Sequence, residues 1–243
     1  MEMGQPVRIA VHVFDGITMF HLAAPLLVFG EVTRLGLADG WQVDTWSTDG
    51  GDVNTAEGIV LGDLDGPATA EQADILVFPS WSPELPDRDP CLLSIVRGAH
   101  SRGSLVAGLC LGAYPVVASG VLDGRAVVTH WEGAAELALR YPAVYVRSSD
   151  LYIDHGDVIT SAGTAASLDA CVHIVRSRLG AAKAAVLARG SWWRRTARVT
   201  RRSTWNCRCP TGETTGRSGR RSTGPWPIST GHSRWTTSPD TPA

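Results

Sequence analysis

The amino-acid sequence predicts an α/β fold with a doubly wound, mostly parallel sheet that is covered by helices on both faces. Short apolar or β-branched runs alternate with segments of helical spacing between residues 6 and 189. Strands that alternate with helices favour parallel pairing, because each crossover helix covers one face of the sheet. Open sheets of this type bind ligands at the carboxyl ends of their strands, so functional residues are expected there.

The first elements follow from residue type and spacing. The run 6–14 (PVRIAVHVF) is rich in β-branched residues, which favours a central strand, and a turn is expected at Asp15-Gly16. Apolar residues recur at helical spacing over 20–37, where Pro25 is tolerated in the first turn. The alternating stretch 41–47 predicts a second strand.

The middle of the chain continues the alternation. The short apolar run 74–78 (DILVF) predicts a buried strand, and helical spacing follows over 91–100. Another apolar run, 104–109, predicts the next strand. Helical spacing then returns over 113–119 and 131–140.

The last elements are a hairpin and a long helix. Residues 151–154 and 157–160 predict two strands that turn at His155-Gly156. Apolar residues then line one face of a predicted helix over 164–189. The whole pattern is consistent with one α/β domain of ordinary size.

The net charge of −2 averages two unlike segments of the 243-residue chain. Residues 1–189 carry 12 Lys and Arg against 22 Asp and Glu, a net charge of −10, whereas residues 190–243 carry 10 Arg against two acidic residues, a net charge of +8. The second segment has no leucine but five of the nine tryptophans. So few aliphatic side chains cannot bury enough surface to offset the entropy of ordering. We therefore expect a folded domain over 1–189 and a disordered basic tail over 190–243.

Cysteine usage and hydropathy favour a cytoplasmic protein that does not associate with a membrane. The N-terminus (MEMGQPVR) lacks the pattern of a signal peptide, and five scattered cysteines fit a reducing compartment. Cys207-x-Cys209 has no second pair of ligands at zinc-finger spacing. Asp150, Asp154 and Asp157 are expected on the solvated side of the hairpin. The sequence therefore predicts neither a metal site nor a cofactor.

Residues 108–112 (GLCLG) contain the most informative motif, a cysteine flanked at two residues on either side by glycine. This spacing is typical of a sharp strand-to-helix turn that presents a nucleophile, here Cys110. The N-terminus of the following helix is expected to lower the pKa of the thiol. The alternative is a buried cysteine at the end of a strand rich in glycine and alanine.

Four segments carry a resemblance to a known family. They are FDGITMFHLAAPLLVFGEV at 14–32, DILVFP at 74–79, GLCLGAYPVVASGVLDGRAVVTHW at 108–131 and ITSAGTAASLDACVHIVRSRLGAAKAAVLAR at 159–189. In this order they resemble the ThiJ/PfpI superfamily, which has the flavodoxin-like fold of class I glutamine amidotransferases. More narrowly, they are similar to the amidase-like N-terminal domain of regulators of the arabinose-regulator (AraC) type. The resemblance implies a domain that senses a small molecule.

The resemblance places three residues in the candidate site. Cys110 matches the nucleophile of the superfamily, and His130 matches a histidine found near that cysteine in several members. The hydrolases of the superfamily carry an acidic residue in the first helix, where this chain has His21. Without that carboxyl, we expect no group that accepts a proton from the thiol. Cys110 is then a pocket residue or a redox-sensitive thiol rather than a nucleophile.

Further departures concern the surroundings of the cysteine. Enzymatic members usually have two glycines after the third strand, where this chain has Ser80 and Trp81. Protease-like members have histidine after the cysteine, where this chain has Leu111. Loss of an oxyanion donor reduces rates by roughly 10²–10³-fold. Together with His21, these residues are expected to bind a ligand, and Tyr114 and Trp131 are expected to complete the pocket wall.

The basic tail is compatible with a shifted reading frame. Some codon choices that encode residues 190–243 encode a different sequence when the reading frame is displaced by one base. Examples of the displaced sequence are LVVAPHREGDPAQYVELPVPDGE and NDRTVGAALDWAMAHLDRPLAVDDLARHA. The second resembles the linker and first helix of an AraC-type DNA-binding domain. The alternative is a basic, tryptophan-bearing arm that binds nucleic acid. We favour a regulator whose sensing domain is intact and whose DNA-binding half is lost.

Two functions follow from these patterns. The first is a ligand-sensing domain that forms a homodimer and that binds DNA only in a full-length, in-frame form. The second is a cysteine-dependent hydrolase, amidase or isonitrile hydratase, in which Cys110 attacks, the Leu111 N–H stabilises charge and His130 moves protons. The first is favoured, because the acidic partner and the glycines of the oxyanion site are missing.

Overall fold

The structure, a computed structural model, describes residues 6–84 and 89–190. The tail over 190–243 that the sequence analysis predicts to be disordered lies outside the described residues, except for Gly190 at the end of a helix. The strands are β1 (Val7–His12), β2 (Trp41–Trp46), β3 (Val53–Asn54), β4 (Val60–Leu61), β5 (Ile75–Phe78), β6 (Leu105–Gly108), β7 (Ala126–Val127), β8 (Tyr145–Val146), β9 (Tyr152–Asp154) and β10 (Val158–Ser161). The helices are α1 (Met19–Arg34), α2 (Pro67–Glu71), α3 (Pro90–Ser101), α4 (Ala113–Ala118), α5 (Trp131–Arg140), α6 (Thr164–Leu179) and α7 (Ala181–Gly190).

Six strands form the central sheet in the order β2-β1-β5-β6-β10-β9. All neighbouring strands are parallel except β9, which is antiparallel to β10. The predicted hairpin is therefore confirmed, and so is the doubly wound α/β fold. The carboxyl ends of β1, β5 and β6 meet at one edge, where Phe78 pairs with Gly108 two residues before Cys110.

The sheet has a hydrophobic core on each face, because successive side chains of a strand point to opposite sides. Ile9 and Val11 of β1 pack into the core that includes residues of α1, α6 and α7. Ala10, between them, packs into the other core, with residues of α2, α3, α4 and α5. Burial on both faces explains why the strands read as continuous apolar runs.

Two predictions about the helices are wrong. Pro25 lies inside α1, as its seventh residue, and not in the first turn. The helix predicted over 164–189 is divided at Gly180 into α6 and α7, because Gly180 adopts a φ of 85°. With a ψ of 165°, this conformation is accessible almost only to glycine, and it takes the chain out of the helical path at position 180. Three smaller elements were not predicted from the sequence: helix α2 and two two-stranded sheets, one of β3 and β4 and one of β7 and β8.

Candidate functional site

The chain turns sharply after β6, and Cys110 lies at the turn with a φ of 53°. This left-handed conformation is uncommon for a residue other than glycine and stores strain. Hydrogen bonds hold it on both sides: the Cys110 N–H donates to the carbonyl of Ala162 at 3.1 Å, and the Thr129 hydroxyl donates to the carbonyl of Cys110 at 2.8 Å.

The two flanking glycines are required by close backbone contacts. A Cβ at Gly108 would lie 2.7 Å from the Cα of Ala113. A Cβ at Gly112 would overlap the carbonyl oxygen of Phe78, on the neighbouring strand β5. The GLCLG spacing therefore allows the turn to pack directly against β5 and α4.

The sulfur of Cys110 is buried, since only 2% of the residue is exposed. Burial raises the pKa of the thiol to about 11, although hydrogen bonds from the Leu111 N–H and the side chains of Ser80 and Thr164 oppose the shift. The negative charge of Glu132 raises the pKa further. The expectation of a lowered thiol pKa is therefore wrong. The turn leads through a short 3-10 segment into a helix of only six residues, and its favourable effect is smaller than the cost of desolvation.

His21 is in contact with the sulfur, with Nε2 at 3.4 Å from Sγ. Its other ring nitrogen, Nδ1, lies 2.6 Å from the hydroxyl oxygen of Thr18, the residue that caps helix α1. An imidazole thus stands where the resemblance expects a carboxyl, and in one of its two tautomers Nε2 accepts a hydrogen bond from the thiol. Thr18, His21 and Cys110 form a continuous chain of polar contacts.

The charge of His21 is controlled by its surroundings. Burial lowers the pKa of His21, His130 lowers it further, and the carboxylate of Glu57 opposes both. Glu57 follows β3, and both of its carboxylate oxygens accept the N–H of Met19 at 3.1 Å, at the first turn of α1. The β3–β4 hairpin thus brings a negative charge to the end of the helix that carries His21.

A cavity of about 140 Å³ lies over this chain of contacts. Six residues of the predicted site line it: His21, Ser80, Trp81, Cys110, Leu111 and His130. The lining also includes residues that the sequence analysis did not name as site residues: Phe14, Gly16, Ile17, Thr18, Pro83 and Glu132. Aromatic and aliphatic walls with a few convergent polar groups are typical of small-molecule sites.

Comparison with known proteins identifies the family of this chain. The sequence profile described as the DJ-1/PfpI family matches residues 7–177. The chain belongs to the DJ-1/PfpI family. The resemblance to the ThiJ/PfpI superfamily is therefore confirmed.

Curated relatives of this DJ-1/PfpI chain include regulators of transcription. A Streptomyces lividans protein described as an uncharacterized protein in the cpoL 5' region is 34% identical over 139 residues, which cover 57% of this chain and 97% of that protein. The HTH-type transcriptional regulator CdhR of Pseudomonas aeruginosa is 28% identical over 143 residues, which cover 59% of this chain and 42% of the regulator. The chain thus matches less than half the length of that regulator.

A solved structure shows the same fold. It is an AraC family transcriptional regulator from Pseudomonas putida, which superposes with a TM-score of 0.67 at 22% identity and covers 76% of this chain and 98% of that one. At this identity the likeness concerns the fold alone. It is consistent with the flavodoxin-like, class I glutamine amidotransferase-like arrangement predicted from the sequence.

Two predicted wall residues of the DJ-1/PfpI site lie elsewhere. Tyr114 is 3% exposed and packs in the core beneath α4, with its ring edge-on to Tyr141 at 5.5 Å. Trp131 is 68% exposed at the start of α5, and its ring centroid lies 5.7 Å from that of His130. Neither lines the Cys110 cavity, so the prediction that they complete its wall is wrong. Both residues lie in helices, and the spacing of residues in the sequence did not predict which way their side chains point.

His130 also lines the cavity and lies close enough to His21 to lower the pKa of that residue. It caps α5, its Nδ1 lies 3.6 Å from a carboxylate oxygen of Glu132, and a Cβ at Gly163 would lie 3.0 Å from its ring. Glycine at position 163 therefore leaves room for the imidazole. The role of His130 in proton transfer stays a prediction.

Within residues 6–84 and 89–190, no group of three or more His, Cys, Asp or Glu side chains is arranged to hold a metal ion. In the same ranges, no helix combines the length and the apolar composition needed to cross a bilayer.

Proposed function

We propose that the DJ-1/PfpI domain of this chain senses a small molecule for a transcriptional regulator of the AraC type. The state of Cys110 carries the proposal. With a pKa of about 11, the buried thiol is almost entirely protonated at neutral pH and is a poor nucleophile. A cavity built around such a thiol is suited to bind a molecule rather than to attack it.

The relatives support the regulatory part of the proposal. Besides CdhR, they include the HTH-type transcriptional regulator GlxA of Rhizobium meliloti, 26% identical over 141 residues. In regulators of this kind, a ligand that binds one conformation better shifts the population toward it. We infer that the domain forms a homodimer and that only an in-frame, full-length form binds DNA.

The shifted reading frame belongs to the same proposal. Resequencing the gene around codon 190 tests it. The proposal expects a one-base difference that restores a linker and a helix-turn-helix. A confirmed frame followed by no such sequence contradicts the truncation but not the sensing role.

Ligand binding is tested by thermal unfolding with fractions of a cell extract. At least one fraction is expected to raise the Tm of the wild-type chain, because a molecule that binds only the folded state stabilises it. His21→Gln should reduce the shift, whereas His173→Gln, on α6, makes the same change outside the cavity and should retain it. If no fraction raises the Tm, or if both variants respond as the wild type, the proposed site is wrong.

A cysteine-dependent hydrolase, amidase or isonitrile hydratase is the second candidate. One observation favours it: Nε2 of His21 lies within reach of Sγ and is able to accept its proton, while the Leu111 N–H points at the sulfur. Turnover of small amides or isonitriles that Cys110→Ser abolishes would favour this enzyme over the sensor.

A further inference from the structure

A buried histidine lies behind one wall of the Cys110 cavity. His12, the last residue of β1, is 1% exposed and is surrounded by four aromatic rings, which we call the aromatic cage. The ring centroids lie 4.8 Å away for Trp46, 5.3 Å for Phe78, 5.8 Å for Trp81 and 6.0 Å for Phe14.

Three polar atoms inside the cage have no hydrogen-bond partner among the described residues. They are both ring nitrogens of His12 and the indole nitrogen of Trp46. A buried polar group left without a partner costs about 1–3 kcal/mol. Natural proteins pair nearly all such groups, so three together in one place call for a function.

The cage and the Cys110 cavity share a wall. Phe14 and Trp81 line the cavity and also contact the His12 ring. A single layer of aromatic side chains therefore separates the imidazole from the site. Trp81 belongs to the loop after β5 rather than to a strand or helix, so its side chain is free of the constraints of a regular element.

We propose that the Cys110 cavity continues behind Trp81 into a second compartment, in which His12 and Trp46 hydrogen-bond a flat, uncharged ligand that carries an amide-like donor and acceptor. This inference rests on the proposed ligand-binding function and specifies the class of ligand. Rotation of Trp81 opens the compartment, and the ligand then takes the place of the indole against the remaining rings.

The chemistry of the cage selects this class. A neutral imidazole offers one donor and one acceptor, and the indole of Trp46 adds a second donor. Burial lowers the pKa of His12 to about 3, so the ring does not supply a positive charge at neutral pH. Aromatic walls stack on planar groups. A carboxamide on a ring satisfies all of these features, whereas an anion lacks a charged partner in the cage.

Benzamide and toluene test the proposal, since they share a ring and differ in the amide. Titration of the full chain is followed by NMR of the histidine side chains. Benzamide is expected to shift the signals of His12 together with those of His21 and His130, and toluene is expected to bind more weakly. Shifts of His21 and His130 without His12 would overturn the compartment and leave the proposed ligand site standing. An absence of any histidine shift would also overturn the compartment, and the extract experiment would then decide the ligand site separately.

Two variants sharpen the experiment. His12→Phe keeps an aromatic ring and removes the polar atoms, so the affinity for benzamide should fall about tenfold while that for toluene stays unchanged. Trp81→Ala should raise the affinity for benzamide, because no side chain has to move. Equal preference for benzamide over toluene in the wild type and in His12→Phe would contradict the proposal. If a variant fails to fold, the NMR titration of the wild type still decides whether the second compartment exists.

Discussion

The Cys110 thiol should react slowly with an alkylating agent at neutral pH, and its reactivity should rise steeply above pH 9. With a pKa of about 11, only about one thiol in 10⁴ is ionised at pH 7. A free cysteine of pKa about 8.5 is about 3% ionised, or roughly 300-fold more. The greater nucleophilicity of a more basic thiolate recovers about 10-fold to 20-fold of this difference. Cys110 is therefore expected to react about 15-fold to 30-fold more slowly than a free thiol, before burial slows it further.

The assay is alkylation with iodoacetamide between pH 6 and pH 10, with peptide mass spectrometry to separate the cysteines. Cys91, which is exposed, is the internal reference in the same chain. Ser80→Ala should raise the pKa of the Cys110 thiol further, because the Ser80 side chain hydrogen-bonds to it. Ser177→Ala, at an exposed position on α6 outside the cavity, makes the same change and should leave the reactivity of Cys110 unaltered.

The reasoning is refuted if Cys110 is alkylated as fast as Cys91 at pH 7 and titrates below pH 8. Such a thiol would be ionised despite its burial, and the enzyme would then be the better proposal. A slow thiol with unchanged pH dependence in Ser80→Ala would instead refute the contribution assigned to that hydroxyl.

Three further predictions concern stability and are measured by urea unfolding. Gly112→Ala should destabilise the fold by about 3 kcal/mol, because the new methyl group would overlap backbone atoms. Gly30→Ala, in open space within α1, is the control and should stabilise the fold by about 0.5–1 kcal/mol. Equal effects of the two substitutions would contradict the packing of the turn. His12→Phe should stabilise the fold by about 3 kcal/mol more at pH 4 than at pH 7. At pH 4 the imidazole of the unfolded chain, of pKa 6.5, is protonated, whereas the buried ring, of pKa about 3, is not, so protonation favours unfolding of the wild type. The same gain in stability at both pH values would argue against the burial of a neutral ring. The Arg125 guanidinium holds the pKa of Asp157 well below its usual range. Asp157→Asn should therefore lower the free energy of unfolding above the unfolded pKa of about 3.9, by less than about 1 kcal/mol because the pair is partly exposed, and this loss should shrink as the pH falls further. A loss that is independent of pH would exclude the ion pair as its origin.

The fold was predictable because its signals are local. Strands such as Ile75–Phe78 are apolar throughout, as is typical of strands buried on both faces, and helical spacing marks the segments between them. The break at Gly180 was not predictable from spacing, since both sides of it favour helix and only the left-handed φ separates them. Elements of two residues, such as β3 and β7, are too short for any periodic signal.

The candidate site was predictable where a motif or the family resemblance fixed a position. Cys110 and His21 were found in this way, and they lie in contact. The protonation of the thiol was not predictable, because it depends on how much water reaches the sulfur. Glu57 was missed because it lies 38 residues from its hydrogen-bond partner, and no sequence signal joins such distant groups.

The positive φ of Gly180 also sets the direction of α7, the last helix of the described residues. A helix continued straight through position 180 would carry the chain onward along a single axis. Instead, α7 folds back and contacts both α6 and α1, the helix that holds His21 over the sulfur. Helix α7 therefore lies one helix away from the cavity, because α1 carries the cavity residue His21 and also contacts α7.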